Sequence, residues 1–97
     1  GLPIPAFGHA GDGNIHVNIM VPDPSDAGAV ARAHAAEREL FVAVRALEGS
    51  LSGEHGIGLT KRPFLAMELG EAEIALMRRI KHAFDPRGIL NPGKIFP

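Results

Sequence analysis

Two short segments hold most of the side chains able to do chemistry. Gly8-His9-Ala10-Gly11-Asp12-Gly13-Asn14-Ile15-His16-Val17-Asn18 and, further along, Ser52-Gly53-Glu54-His55-Gly56 set imidazoles, carboxamides and a carboxylate–imidazole pair among glycines. Imidazole and carboxylate are donors that zinc and similar divalent ions accept, and a catalytic ion commonly takes three protein ligands and keeps one position open. His9 and His16 can converge only if the chain doubles back between them, which the turn-forming run Gly11 to Asn14 permits. Glu54 would complete the set. Two neutral imidazoles and one carboxylate leave a divalent ion with a residual charge of about +1, suited to an anionic chelating ligand such as an α-hydroxy acid.

The spacing matches neither the helical His-x-x-x-His of metalloproteases nor a cysteine-containing zinc module. From residue types alone, two readings therefore stand: a metal centre, or histidines that serve only the loops they occupy. Asp12 is expected to cap the amides of its own turn, contact with the metal being the alternative. Asn18 is expected to share a strand face with His16, either as a strand-surface residue or hydrogen-bonded to a ligand or a bound substrate. Gly53 to Gly58 has the outer glycine spacing of a P-loop, but Leu59 stands where the phosphate-binding lysine is required, and no Gly-x-Gly-x-x-Gly occurs at either segment.

The elements that must position these groups follow from periodicity. Ile15, Val17, Ile19 and Val21 alternate with His16, Asn18 and Met20, which predicts a strand over 15–21 with His16 and Asn18 on one face. Pro22 to Asp26 ends it and offers Ser25 and Asp26 as N-caps. Apolar residues recurring at three- and four-residue steps predict an amphipathic helix over 27–48 with Gly49 as its C′ residue, and His34 as an ordinary residue at the edge of its apolar stripe. A brief strand at 50–52 would deliver Glu54 and His55 beside the first strand. Two more helices are expected near 61–69 and 72–84, the second stopped by Asp85-Pro86, with Arg78, Arg79 and Lys81 favoured near its C-terminal end by the helix dipole. The tail 87–97 lacks a period and is expected to lie across a surface.

With 97 residues there is room for one small domain, which buries only about 60–65% of its unfolded surface. Ten Lys and Arg against eleven Asp and Glu give a net charge of −1, which removes the electrostatic case for a nucleic acid partner. The absence of cysteine excludes disulfides and thiol catalysis by this segment. Gly1-Leu2-Pro3-Ile4-Pro5 runs almost directly into the richest motif, and the expectation is a piece of a longer protein.

Three motifs in order carry a family resemblance: Gly8-His9-x-Gly11-Asp12-Gly13-Asn14-x-His16-x-Asn18; Ser52-Gly53-Glu54-His55-Gly56-x-Gly58 with Lys61; and Asp85-Pro86-x-Gly88-x-Leu90-Asn91-Pro92-Gly93-Lys94-Ile95-Phe96. Together they resemble the C-terminal portion of the FAD-linked oxidases of the vanillyl-alcohol-oxidase type, nearest to D-lactate dehydrogenases, the flavin subunit of glycolate oxidase and D-2-hydroxyglutarate dehydrogenase. The resemblance implies an α+β fold, a small antiparallel sheet with helices on one face, forming the distal half of a substrate or cap domain over residues 1–97. It implies oxidation of a D-2-hydroxy acid to the 2-oxo acid, with FAD held mainly by an N-terminal domain outside this sequence. It further implies a divalent metal, zinc or similar, on His9, His16 and Glu54; Asn18 beside the substrate; His55 as base, or as a residue orienting Glu54; and Asn91 and Lys94 towards the flavin.

The expected partners are the small 2-hydroxy acid, the FAD domain of the parent protein and, through exposed strand edges, other copies of the fragment. The expected compartment is the cytoplasm, with peripheral membrane attachment of the parent left open. Two other classes remain: a stand-alone zinc-dependent hydrolase using the same three ligands, and a non-catalytic structural or assembly module.

Overall fold

The computed structural model describes residues 1–97. In chain order it contains β1 (Ala6–His9), β2 (Asn14–Val17), α1 (Ala27–Ala46), a 3₁₀ turn (Arg62–Phe64), α2 (Leu65–Glu68) and α3 (Glu71–Phe84). The strands form one antiparallel hairpin, pairing Ala6 with Val17, Phe7 with His16, Gly8 with Ile15 and His9 with Asn14. This is the expected α+β arrangement. A groove of about 680 Å³ runs between the Ile15, Val17 and Ile19 side of the hairpin and α1.

The expected strand 15–21 is shorter as a regular element, and β1, broken in sequence by glycine and proline, is its unforeseen partner. The pairing nonetheless runs on past Val17, because the amides of Asn18 and Met20 donate to the carbonyls of Pro5 and Pro3 at 3.0 and 2.9 Å. Prolines have no N–H to return, so the ladder there is one-sided and no regular strand forms. Gly8 is required by close approach: a Cβ at that position would lie 2.0 Å from the carbonyl oxygen of Asn14.

Helix α1 begins on Asp26, whose carboxylate accepts from the amide of Ala29 at 3.1 Å. Its end differs from expectation. Glu48, not Gly49, takes the left-handed conformation at φ 62°, and the amides of Glu48 and Gly49 close back on Arg45 and Val44 in a Schellman arrangement. Gly49 sits one place further on because a Cβ there would meet the Val44 side chain at 2.9 Å.

The core is small. Phe41, Leu51 and Phe64 form its centre with Met67 packed against it, and the Phe41 and Phe64 rings meet edge-on with centroids 4.8 Å apart. The expected strand at 50–52 does not form. Leu51 is held as a loop residue, its amide donating to Glu68 Oε1 at 3.0 Å and its carbonyl accepting from Lys61 Nζ at 2.8 Å, so side chains from two later elements take the bonds a sheet would have used. The helix expected near 61–69 forms instead as a 3₁₀ turn, with Pro63 in its tolerant first turn, followed by one α turn.

Helix α3 buries no residue, and Leu76, Ile80 and Phe84 on one face are all exposed. Its cations serve the tail more than the helix end: Arg78 donates to the carbonyl of Pro97 and lies over the Phe96 ring, while Lys81 pairs with Asp85 and donates to the carbonyl of Leu90. The tail is laid across the surface as expected, with the Ile95 amide donating to Gly58 and Arg62 to the Gly93 carbonyl.

The chain exposes 7253 Å² and has a radius of gyration of 15.7 Å. A compact protein of 10.3 kDa exposes about 5,350 Å² and has a radius near 12.5 Å. Much apolar surface is therefore left without a partner. No helix is long and apolar enough to cross a membrane.

Candidate functional site

The hairpin sorts the first motif by face. Alternation along β1 and β2 puts Phe7, His9, Asn14 and His16 on one side and Ile15 and Val17 on the other, towards α1. Tight pairing at Gly8, and a turn whose backbone bonds run from Asp12 to His9 and from Gly13 to Ala10, bring His9 and His16 to the same wall. The turn is thus closed by main-chain groups and by Gly13 at φ 66°, not by the Asp12 carboxylate.

Against that wall stands the second motif. Phe7, Gly8, His9, Asn14, His16, Glu54 and His55 line one cavity of about 310 Å³. The rings form a row, Phe7 stacking on His16 with centroids 4.8 Å apart and His55 meeting His16 edge-on at 5.9 Å. His55 Nε2 lies 3.9 Å from Glu54 Oε1. His16 Nε2 is 2.9 Å from Asn18 Oδ1. With that oxygen accepting, Nε2 carries the proton and Nδ1 keeps the lone pair, the tautomer control seen where a carbonyl orients a ligand imidazole.

All three expected metal ligands and the expected base therefore border one cavity, but no three His, Asp or Glu side chains converge closely enough to hold a single ion. Asn18 touches His16 rather than lining the cavity. Asn91 and Lys94 border neither this cavity nor the larger groove; Lys94 Nζ donates to the carbonyl of Pro92 at 3.3 Å, and Asn91 adopts φ 44° in the tail turn. His34 lies on α1 beside Glu37, 3.7 Å away, largely exposed and apart from the histidine cavity.

One residue of the site was not singled out by type. Asn14 donates from Nδ2 to Glu54 Oε1 at 3.0 Å, joining the two motifs across forty residues of sequence. Its place in the turn signal Asp12-Gly13-Asn14 accounted for it locally and concealed this longer reach. Gly53 is its steric complement, since a Cβ there would fall 2.2 Å from Asn14 Oδ1.

Fold and cavity together define an α+β segment whose hairpin and glycine-rich loop present imidazoles and a carboxylate to a small polar cavity. The chain belongs to the family described as FAD linked oxidases, C-terminal domain, whose family model matches residues 1–95. It is 46% identical over 91 residues to a D-2-hydroxyglutarate dehydrogenase of Stutzerimonas stutzeri, a match covering 93% of this chain and 20% of that protein. It is 44% identical over 91 residues to a probable mitochondrial D-lactate dehydrogenase of Danio rerio, covering 94% of this chain and 18% of that protein. A glycolate oxidase subunit of Bacillus subtilis is 44% identical over 95 residues, covering 98% of this chain and 20% of that subunit. The chain spans about a fifth of the length of these relatives.

Proposed function

We propose that this chain is the C-terminal part of a longer FAD-dependent oxidoreductase that converts a D-2-hydroxy acid, of the D-2-hydroxyglutarate, D-lactate or glycolate type, to the 2-oxo acid. The observation that carries the reading is the meeting of His9, His16, Glu54 and His55 on one cavity whose volume suits a small hydroxy acid. The family supports the flavin, and the three named relatives support the substrate class.

The donors on this cavity are of the kinds that bind a divalent metal, zinc being one ion that two imidazoles and one carboxylate accept. His9, His16 and Glu54 are the residues that would hold such an ion. When bound, a divalent ion would supply positive charge that favours loss of the substrate's hydroxyl proton, and the flavin would supply the hydride acceptor. The protein's own part is to hold and move a proton. His55 Nε2 borders the cavity and takes the hydroxyl proton, with Glu54 beside it to stabilise the imidazolium that results. Asn18, by holding His16, keeps that ring turned for binding, and Asn91 and Lys94 belong to the side that faces the flavin.

The test uses the complete flavoprotein. D-2-hydroxy acids should bleach the oxidised flavin spectrum, and His55→Ala should lower kcat by about a hundredfold or more while leaving bound metal unchanged. A flavin that none of the three substrate types reduces would reject the activity. Loss of metal from the His55→Ala protein would make His55 an orienting residue instead of the base.

A further inference from the structure

We infer that Lys61 is a positioning residue for His55: it closes the neck of the loop 52–57 and so fixes where that loop presents its imidazole. The inference rests on the reading of His55 as the base, and adds to it a residue that does not itself border the histidine cavity.

No helix or strand holds residues 52–57. A segment of this kind takes its place from the points at which its ends are tied, and here one residue ties both. Lys61 Nζ donates to the carbonyl of Leu51 at 2.8 Å, and the Lys61 amide donates to the carbonyl of Ile57 at 3.2 Å. His55 lies between the two tied carbonyls. Inside the loop the bonds are local, the Gly56 amide donating to Ser52 Oγ at 2.7 Å. Asn14 reaches the side chain of Glu54 but not the backbone that carries His55.

Lys61 is in turn well anchored. It directly precedes the 3₁₀ turn and α2, whose Phe64 and Leu65 are buried, and its half-buried ammonium lies 6.0 Å from the centre of the Phe41 ring. It enters none of the chain's ion pairs, so no carboxylate competes with the Leu51 carbonyl for it. The Leu51 peptide is held from its other side as well, its amide donating to Glu68 Oε1 at 3.0 Å. An ammonium donating to a carbonyl makes a stronger bond than a neutral donor would, and partial burial hinders water from replacing it.

The test follows flavin reduction in the complete flavoprotein, with the fastest of D-2-hydroxyglutarate, D-lactate and glycolate as substrate. Lys61→Met keeps the apolar stem and removes the donor, and it should slow reduction at saturating substrate about tenfold, because a base displaced by a fraction of an ångström to an ångström loses its alignment. The decisive measurement pairs it with His55→Ala. A residue that acts through His55 has nothing to act on once that ring is gone, so Lys61→Met should cost less than about twofold in the His55→Ala protein. Losses that multiply, or a Lys61→Met enzyme within about twofold of wild type, would overturn the inference. Should Lys61→Met fail to load flavin, Lys61→Gln, whose side chain is too short to reach Leu51, goes through the same cycle. If no substrate reduces the flavin, or if His55→Ala costs less than about tenfold, the reading of His55 as base fails by itself. The neck is then decided by native-state cleavage after Glu54 with a glutamyl endopeptidase, which should be at least about fivefold faster in Lys61→Met than in wild type, and unchanged cleavage would refute it.

Discussion

Leu51 ties the core to the loop that carries Glu54 and His55, and its truncation should show how much of the site depends on a handful of buried residues. Its side chain is 4% exposed and lies against Phe41 and Phe64, two positions before Gly53. Leu51→Ala removes three carbons, worth about 2.4 kcal/mol in transfer at roughly 0.8 kcal/mol each, and the cavity left behind brings the loss to about 3 kcal/mol. A chain of this length is stable by about 5–15 kcal/mol at most, and with six of its 97 residues buried it belongs at the lower end. The variant should therefore lose more than half of its stability and melt about 12–24 °C lower. Because the chain has no Trp or Tyr, urea and thermal unfolding are followed by far-ultraviolet circular dichroism. Leu47→Ala is the matched control: that residue is 84% exposed and should cost no more than about 0.5 kcal/mol. A Leu51→Ala protein within about 1 kcal/mol of wild type, or an equal loss in the control, would refute the assignment of Leu51 to the core.

Other outcomes follow from the same structure. Glu48 holds φ 62° at the C-terminus of α1, so Glu48→Gly should raise stability by about 0.5–1 kcal/mol, visible as a higher urea midpoint. Asp85 has its pKa lowered from 3.8 to about 2, first by the hydrogen bond from Lys81 and then, against the opposing effect of burial, by the amides of Leu90 and Ile89. A folded pKa below the unfolded one means that this contribution is complete above about pH 4 and is lost as pH falls towards 2. Stability measured over that window should decline in the native chain, and Asp85→Asn should flatten the decline. The chain exposes roughly 1,900 Å² more than a compact protein of its mass, an area comparable to a whole protein–protein interface, so in isolation it should self-associate. Size-exclusion chromatography with light scattering checks this, and a strict monomer at every concentration would count against it.

The helices were legible because their signals are local. The apolar spacing of α1, the capping residue Asp26 and the stop at Asp85-Pro86 act within a turn or two of the residues they govern. Failures came where a distant group overrode the local preference. Leu51 forms no strand because Glu68 and Lys61 take its backbone groups, and β1 was hidden because its glycine and flanking prolines look unfavourable until Asn14 and Ile15 are set against them. The Glu48 cap shows the same thing at short range, since the crowding of position 49 by Val44 depends on the exact winding of the last turn.

The chemistry of the site was in the sequence, because imidazole and carboxylate side chains and the glycines that surround them are properties of residue type and order. Three ordered motifs were also enough to identify the family. Tertiary structure alone decided which of these groups meet. Hairpin register brings His9 and His16 to one wall, and the Asn14 to Glu54 contact, made between segments forty residues apart, brings the second motif to it. Asn91 and Lys94 match their motif equally well but stand away from that cavity. Residue type determines what a group can bind, whereas the path of the backbone determines whether the groups needed together are within reach of one another.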